Sequence, residues 1–201
     1  MTKSFTSILI LLTAVAASAE TGRDAWLRYV PVRNQEAETY REVVVLGHSE
    51  VVRTAEEEVM RGFRGMLGRE LRVVARPSRP AIVLGTAAYI KQTFPEIQRL
   101  DRIGVDGFQL VRHSGSLLII GGNDSGVLYG AFSLLRRIAL RQPMEALENP
   151  SAPIRWTNEW DNLDGIIERG YGGRSIFFAD GDVAGDLTRA KEYARLLASL
   201  G

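Results

Sequence analysis

Short unbroken apolar runs alternate along this chain with stretches of helical spacing. Val43-Val44-Val45-Leu46, closed by Gly47, predicts a buried strand. Val52, Ala55, Val59, Phe63 and Met66 then recur at three- and four-residue intervals, predicting a helix with Ser49 as N-cap and Gly68 as stop. On such a helix Glu56-Glu57-Glu58 point in different directions, so they predict a mostly solvated face rather than a metal site. Two strands, Leu71 to Ala75 and Ala81 to Gly85, are predicted around a Pro77-to-Pro80 turn. A short helix near Ala87 to Gln92 leads to a loop around Pro95. Phe108-Gln109-Leu110-Val111 and Leu117-Leu118-Ile119-Ile120, joined at His113-Ser114-Gly115-Ser116, predict a hairpin. Val127, Ala131, Leu134, Leu135 and Ile138 line a second long helix. This order predicts an α+β layer with helices on a mixed or antiparallel sheet.

Both flanks of that layer have their own pattern. Asp24-Ala25-Trp26-Leu27-Arg28-Tyr29 precedes Pro31 and predicts an extended segment tied down by its two aromatics. Asn149-Pro150-Ser151-Ala152-Pro153 ends the helical pattern and predicts a boundary, giving an N-terminal domain over 20–148 and a second unit over 149–201. In that unit Ile154 to Asn158 predicts a strand, Ile176-Phe177-Phe178 a second extended run, and Ala190, Tyr193, Ala194, Leu197 and Leu200 a helix. Asp180, Asp182 and Asp186 hint at a calcium loop, but Lys191 stands where its closing carboxylate belongs, so capping of the helix start is expected.

Lys3, the apolar run Ile8 to Ala17 and the small residues Ala17-Ser18-Ala19 predict a secretory leader over 1–19, cleaved after Ala19. The run is shorter than the roughly 20 apolar residues that span a bilayer. Export to a periplasm or the exterior is expected, with no membrane contact after cleavage. The chain has no cysteine, which excludes disulfides and thiolate chemistry. Its formal charge of +1 gives no electrostatic reason to expect a nucleic-acid partner.

Three features invite a chemical reading. Gly121-Gly122-Asn123-Asp124-Ser125-Gly126 opens a helix, yet lacks the Gly-Lys-Ser/Thr ending and the Gly-x-Gly-x-x-Gly spacing of phosphate loops, so a tight turn capped by Asp124 or Ser125 is expected. His48 and His113 sit at strand ends without a second ligand nearby, so no metal is expected there. The third is Asn158 to Phe178. It crowds Trp160, the carboxylates of Glu159, Asp161, Asp164 and Glu168, Asn162, Arg169, Arg174 and four glycines into one stretch. Burying so many polar groups requires a partner for each, so a loop facing a polyhydroxylated ligand is expected.

Asn158-x-Trp160-Asp161-Asn162-Leu163-Asp164-Gly165, continued by Glu168-Arg169-Gly170-Tyr171-Gly172-Gly173-Arg174-Ser175-Ile176-Phe177, resembles the start of the catalytic barrel in the α-glucuronidases of glycoside hydrolase family 67. Asp24 to Tyr29 is similar to that family's opening strand. Gly122-x-Asp124-Ser125-Gly126-x-Leu128-Tyr129-Gly130 is similar to the last helix of its small domain. Glu159, where a histidine or similar residue is common, and Gly172, where alanine is common, depart from the pattern.

The resemblance implies an exo-enzyme that removes glucuronic acid or its 4-O-methyl ether from glucuronoxylan-derived oligosaccharides with inversion. It needs no cofactor, and the full-length parent is expected to be a homodimer. The implied fold is a small sheet-and-helix domain followed by the first βα unit of an incomplete (β/α)8 barrel. A barrel takes ~250 residues, and about 50 follow Pro150. A truncated enzyme is therefore expected, inactive alone, with no catalytic acid in this chain. Trp160, at the end of the first barrel strand, is expected to lie against a sugar ring, the alternative being a core tryptophan. Asn162, Asp164, Glu168 and Arg169 are candidates for hydroxyl contacts, and Arg169 or Arg174 for the uronate carboxylate; ion pairs within the loop, such as Glu168 with Arg174, are the alternative. A non-catalytic carbohydrate-binding module and a hexosaminidase-type fragment remain as rival readings.

Overall fold

Apolar runs without polar interruption become strands covered on both faces. In a computed structural model, which describes residues 24–201, β1 (Glu42–Leu46), β2 (Arg72–Val73), β3 (Ala81–Thr86), β4 (Phe108–His113), β5 (Ser116–Gly121) and β6 (Ala146–Glu148) form one mixed sheet in the order β2-β1-β3-β5-β4-β6. The predicted leader lies outside the described residues. β1 runs parallel to β2 and β3, and β3 runs parallel to β5, whereas β4 pairs antiparallel with β5 and β6. With parallel pairs at its centre the domain is mixed α/β, more parallel than the predicted α+β layer. Helices α1 (Glu50–Leu67) and α3 (Asp124–Leu140) cover one face, where Val43, Ile82, Leu84, Leu117 and Ile119 join Phe63, Leu134 and Leu135. The short α2 (Ala87–Thr93) covers the other, with Val44, Val83, Leu118 and Ile120 around Ile90. Alternate residues of each strand thus enter different cores, which explains why these runs show no polar alternation.

The caps of α1 fall where the sequence places them. Ser49 Oγ accepts from Val52 N at 3.2 Å, and Gly68 closes the helix in the left-handed conformation. α3 is capped one residue earlier than expected: Asn123 Oδ1, rather than Asp124 or Ser125, accepts from Gly126 N at 2.9 Å. The glycines before it serve packing. A Cβ on Gly122 would sit 2.0 Å from the Gly104 carbonyl oxygen, so this turn is glycine because one backbone lies on another. Asn123 Nδ2 also donates to Asp106 Oδ1 at 2.8 Å, tying the turn to the loop before β4.

Three expected elements differ. Ala25–Arg28 is a 3-10 turn, not an extended segment, because docking Leu27 and Tyr29 into the core fixes its course. The strand expected over Leu71 to Ala75 contracts to Arg72–Val73 at an exposed sheet edge. Ile154 to Asn158 forms no strand. Every residue from 151 to 160 is exposed, and among the described residues no neighbouring strand pairs with this stretch. Beyond it lie a small hairpin of β7 (Phe178–Ala179) and β8 (Asp182–Val183), then helix α4 (Thr188–Ala198). Asp186 Oδ1 accepts from Thr188 N at 2.9 Å; its hydrogen bonds to Thr188 hold its carboxyl below the usual range, in keeping with the expected capping role. His113, half-buried, meets Glu96 at 2.7 Å in a local pair.

Candidate functional site

Residues 158–178 are organised by their backbone. Asp161 and Ile167 form an antiparallel bridge, as do Ile166 and Arg174. Glu168 N donates to the Trp160 carbonyl at 2.7 Å, and Asn162 N donates to Ile166 O at 2.9 Å. Gly165 is buried at φ +84°, and a Cβ there would meet the Phe178 carbonyl at 2.9 Å, so the loop folds against the β7–β8 hairpin only with glycine at this position.

Two of the six predicted binding side chains brace the loop. Asn162 Nδ2 donates to Glu168 O at 2.7 Å and to Ile166 O at 3.3 Å, and Asp164 Oδ1 accepts from Ile166 N at 2.9 Å. Glu168 is not paired with Arg174; its carboxylate accepts from Tyr171, which raises that hydroxyl's pKa. Arg169 and Arg174 are exposed and make no ion pair with another described residue. Trp160 is 58% exposed. It also does not close a strand, since none forms before it. Trp156, Leu163 and Tyr171 are exposed as well.

The small domain grips α4 through a buried polar cluster. Glu58 is 3% exposed, whereas Glu56 is half-buried and Glu57 is exposed. Arg195 donates to it twice, from Nε to Oε2 at 2.9 Å and from Nη2 to Oε1 at 2.6 Å, and also to the Leu27 carbonyl at 3.3 Å. The Tyr29 hydroxyl donates to the same carboxylate, and its ring lies under the guanidinium at 5.5 Å. Burial, then the Glu58 charge, pushes the Tyr29 hydroxyl well above its usual range. Nearby, Trp26 Nε1 donates to Ser199 Oγ at 3.1 Å while Arg136 donates to the Ser199 carbonyl and stacks 5.0 Å over the Trp26 ring.

Sequence reasoning missed this cluster. The helical spacing turns the three glutamates in different directions but does not supply a partner for a buried carboxylate, and Arg195 lies far away in sequence. Further along α4, the Tyr193 hydroxyl donates to Glu159 Oε1 at 2.6 Å and its ring meets Phe177 edge-on at 6.4 Å. The hydrogen bond to Glu159 raises the Tyr193 pKa.

A cavity of about 440 Å³ lies elsewhere, lined by Asp106, Tyr129, Arg136, Glu148 and Arg155 among others. None of the six predicted binding residues lines it. Its two carboxylates are engaged by arginines, Asp106 with Arg155 at 3.3 Å and Glu148 with Arg137 at 2.8 Å. Among the described residues no group of three or more acidic, histidine or cysteine side chains is arranged to hold a metal ion. No described helix is long and apolar enough to cross a membrane.

Comparison with known proteins places this architecture. The chain is 41% identical over 212 residues to alpha-glucuronidase A of Emericella nidulans, covering 96% of this chain and 25% of that protein. It is 38% identical over 207 residues to the probable alpha-glucuronidase A of Aspergillus oryzae, covering 98% and 25%. The chain thus spans about a quarter of the length of these relatives. A solved family GH115 4-O-methyl-α-glucuronidase with specificity for decorated arabinogalactans shares the fold at a TM-score of 0.56 and 19% identity, over 80% of this chain and 24% of that one. The model of the glycosyl hydrolase family 67 N-terminus matches residues 25–134, and that of the family's middle domain matches residues 135–201. The chain belongs to glycosyl hydrolase family 67.

Proposed function

We propose that this chain is the N-terminal part of an exported α-glucuronidase that hydrolyses glucuronic acid or its 4-O-methyl ether from xylooligosaccharides with inversion. In this reading residues 149–201 begin the catalytic barrel, and Trp160 is a wall of the sugar site. The observation that carries it is the exposed Trp160 on a braced loop, in a chain that aligns along nearly its whole length with α-glucuronidases. A ring with its face open to solvent stacks on the C–H face of a sugar, and the two exposed guanidinium groups of Arg169 and Arg174 suit a uronate carboxylate. The unpaired stretch 151–160 and the exposed Ile154, Trp156 and Leu163 fit a first barrel strand whose neighbours complete the wall.

Inversion requires one carboxylic acid at the leaving oxygen and a carboxylate base on the opposite face of the ring. Asp161 and Asp164 share one loop and do not supply opposed positions, and Asp164 already braces Ile166. Incubated with a 4-O-methylglucuronic-acid-bearing xylotriose, the 201-residue chain is expected to release no uronic acid, as read by anion-exchange chromatography. Release above the heat-treated control overturns the assignment of the acids to other barrel strands.

A further inference from the structure

We propose that Tyr193 is a positioning residue for Trp160, and that α4 is the strut through which the small domain fixes the sugar-facing loop. Tyr193 and Arg195 are two residues apart on a helix, which turns them about 200° from each other. One side of α4 is therefore clamped inward, Arg195 against the buried Glu58, while the other faces the loop, Tyr193 holding the Glu159 carboxylate at 2.6 Å. Glu159 is the residue before Trp160. On the other side of Trp160, its carbonyl is held by Glu168 N at 2.7 Å and Asp161 bridges to Ile167. The tryptophan backbone is thus restrained from both directions, and the restraint from the N-terminal direction comes from α4. The ring of Tyr193 against Phe177 adds a second contact to the far end of the same loop.

The value of this positioning for a substrate rests on the sugar-site reading of Trp160, while the mechanical link is testable without any ligand. The probe is the indole N–H resonance of Trp160 in the ¹⁵N-tryptophan-labelled chain, assigned with Trp160→Phe. Tyr193→Phe keeps the ring and removes the hydroxyl. It and Glu159→Ala are expected to move the Trp160 resonance in the same direction by more than a line width, with no further movement in the double variant. Glu159→Gln retains an acceptor and is expected to restore most of the original position. The Trp26 indole, bonded to Ser199 at 3.1 Å just past the end of α4, is expected to stay in place and so report that the helix remains docked. An unmoved Trp160 resonance in Tyr193→Phe overturns the proposal, as does movement of Trp26 together with Trp160, which signals loss of the whole helix rather than of one link. Lack of any response of Trp160 to added aldouronic acid sinks the sugar reading and leaves these variant shifts unaffected, so the two failures are distinguishable.

Discussion

Replacing Glu58 with alanine is expected to lower amide-exchange protection along α4 by about a hundredfold, while the central strands of the sheet keep theirs. Removing one partner of a buried ion pair costs about 3–5 kcal/mol when the other stays buried. Here the remaining partner has an exit. Arg195 retains 20% side-chain exposure and sits on a helix with no fully buried residue, so it regains water by undocking. The loss is therefore expected as local opening of α4, somewhat below that range, about 2.7 kcal/mol for a hundredfold change. Tyr29, whose hydroxyl loses its acceptor, is expected to titrate closer to an ordinary phenol. Hydrogen exchange followed by mass spectrometry reads the effect. Equal loss of protection in α4 and in β3 and β5 contradicts a latch confined to the helix.

Acid is expected to weaken the small domain through Glu42. This carboxylate is 1% exposed at the start of β1 and accepts from Arg72 Nη2 at 2.5 Å, Ser78 N at 2.7 Å, Ser78 Oγ at 2.8 Å and Arg79 N at 3.3 Å. The hydrogen bond from Arg72, then those from Ser78, hold its pKa down at about 2 from an ordinary 4.5. Above 4.5 both folded and unfolded chains carry the charge, and its contribution is complete. Between 4.5 and about 2 the unfolded chain binds a proton that the folded chain refuses, so stability falls with pH. Below about 2 both are protonated and the contribution is gone. Urea midpoints across this window are expected to drop more steeply for the wild-type chain than for Glu42→Gln, which starts lower at neutral pH. Parallel slopes for the two contradict the role given to Glu42.

Local signals determined much of this fold. The central strands, both long helices and the β4–β5 hairpin followed from runs, periodicity and turn residues, because each of these elements buries the apolar positions that its own pattern displays. The edges were less legible. β6 is a three-residue strand formed against β4 with two exposed side chains, and nothing in Ala146-Leu147-Glu148 compels it without that partner. The β7–β8 hairpin did carry a signal, the Asp180-Gly181 pair of a two-residue turn. Ile154 to Asn158 has a strand's composition, but no described strand lies beside it to pair with, and composition alone does not make a strand. At the loop, the residue types were legible while their roles divided: Asn162 and Asp164 turn inward to brace, and Trp160, Arg169 and Arg174 stay open. Glu58 with Arg195 and Glu159 with Tyr193 join residues far apart in sequence, and no local rule links them.

The most direct measurement of the central claim is titration of the ¹⁵N-tryptophan-labelled chain with an aldotriouronic acid, following the three indole resonances. Trp160 is expected to shift progressively without saturating below millimolar ligand, as suits one wall of an incomplete site, while Trp26, held within the α4 latch, stays in place. A static Trp160 resonance contradicts its role as a sugar platform, and saturation at micromolar ligand contradicts the partial site in favour of a self-sufficient binding module.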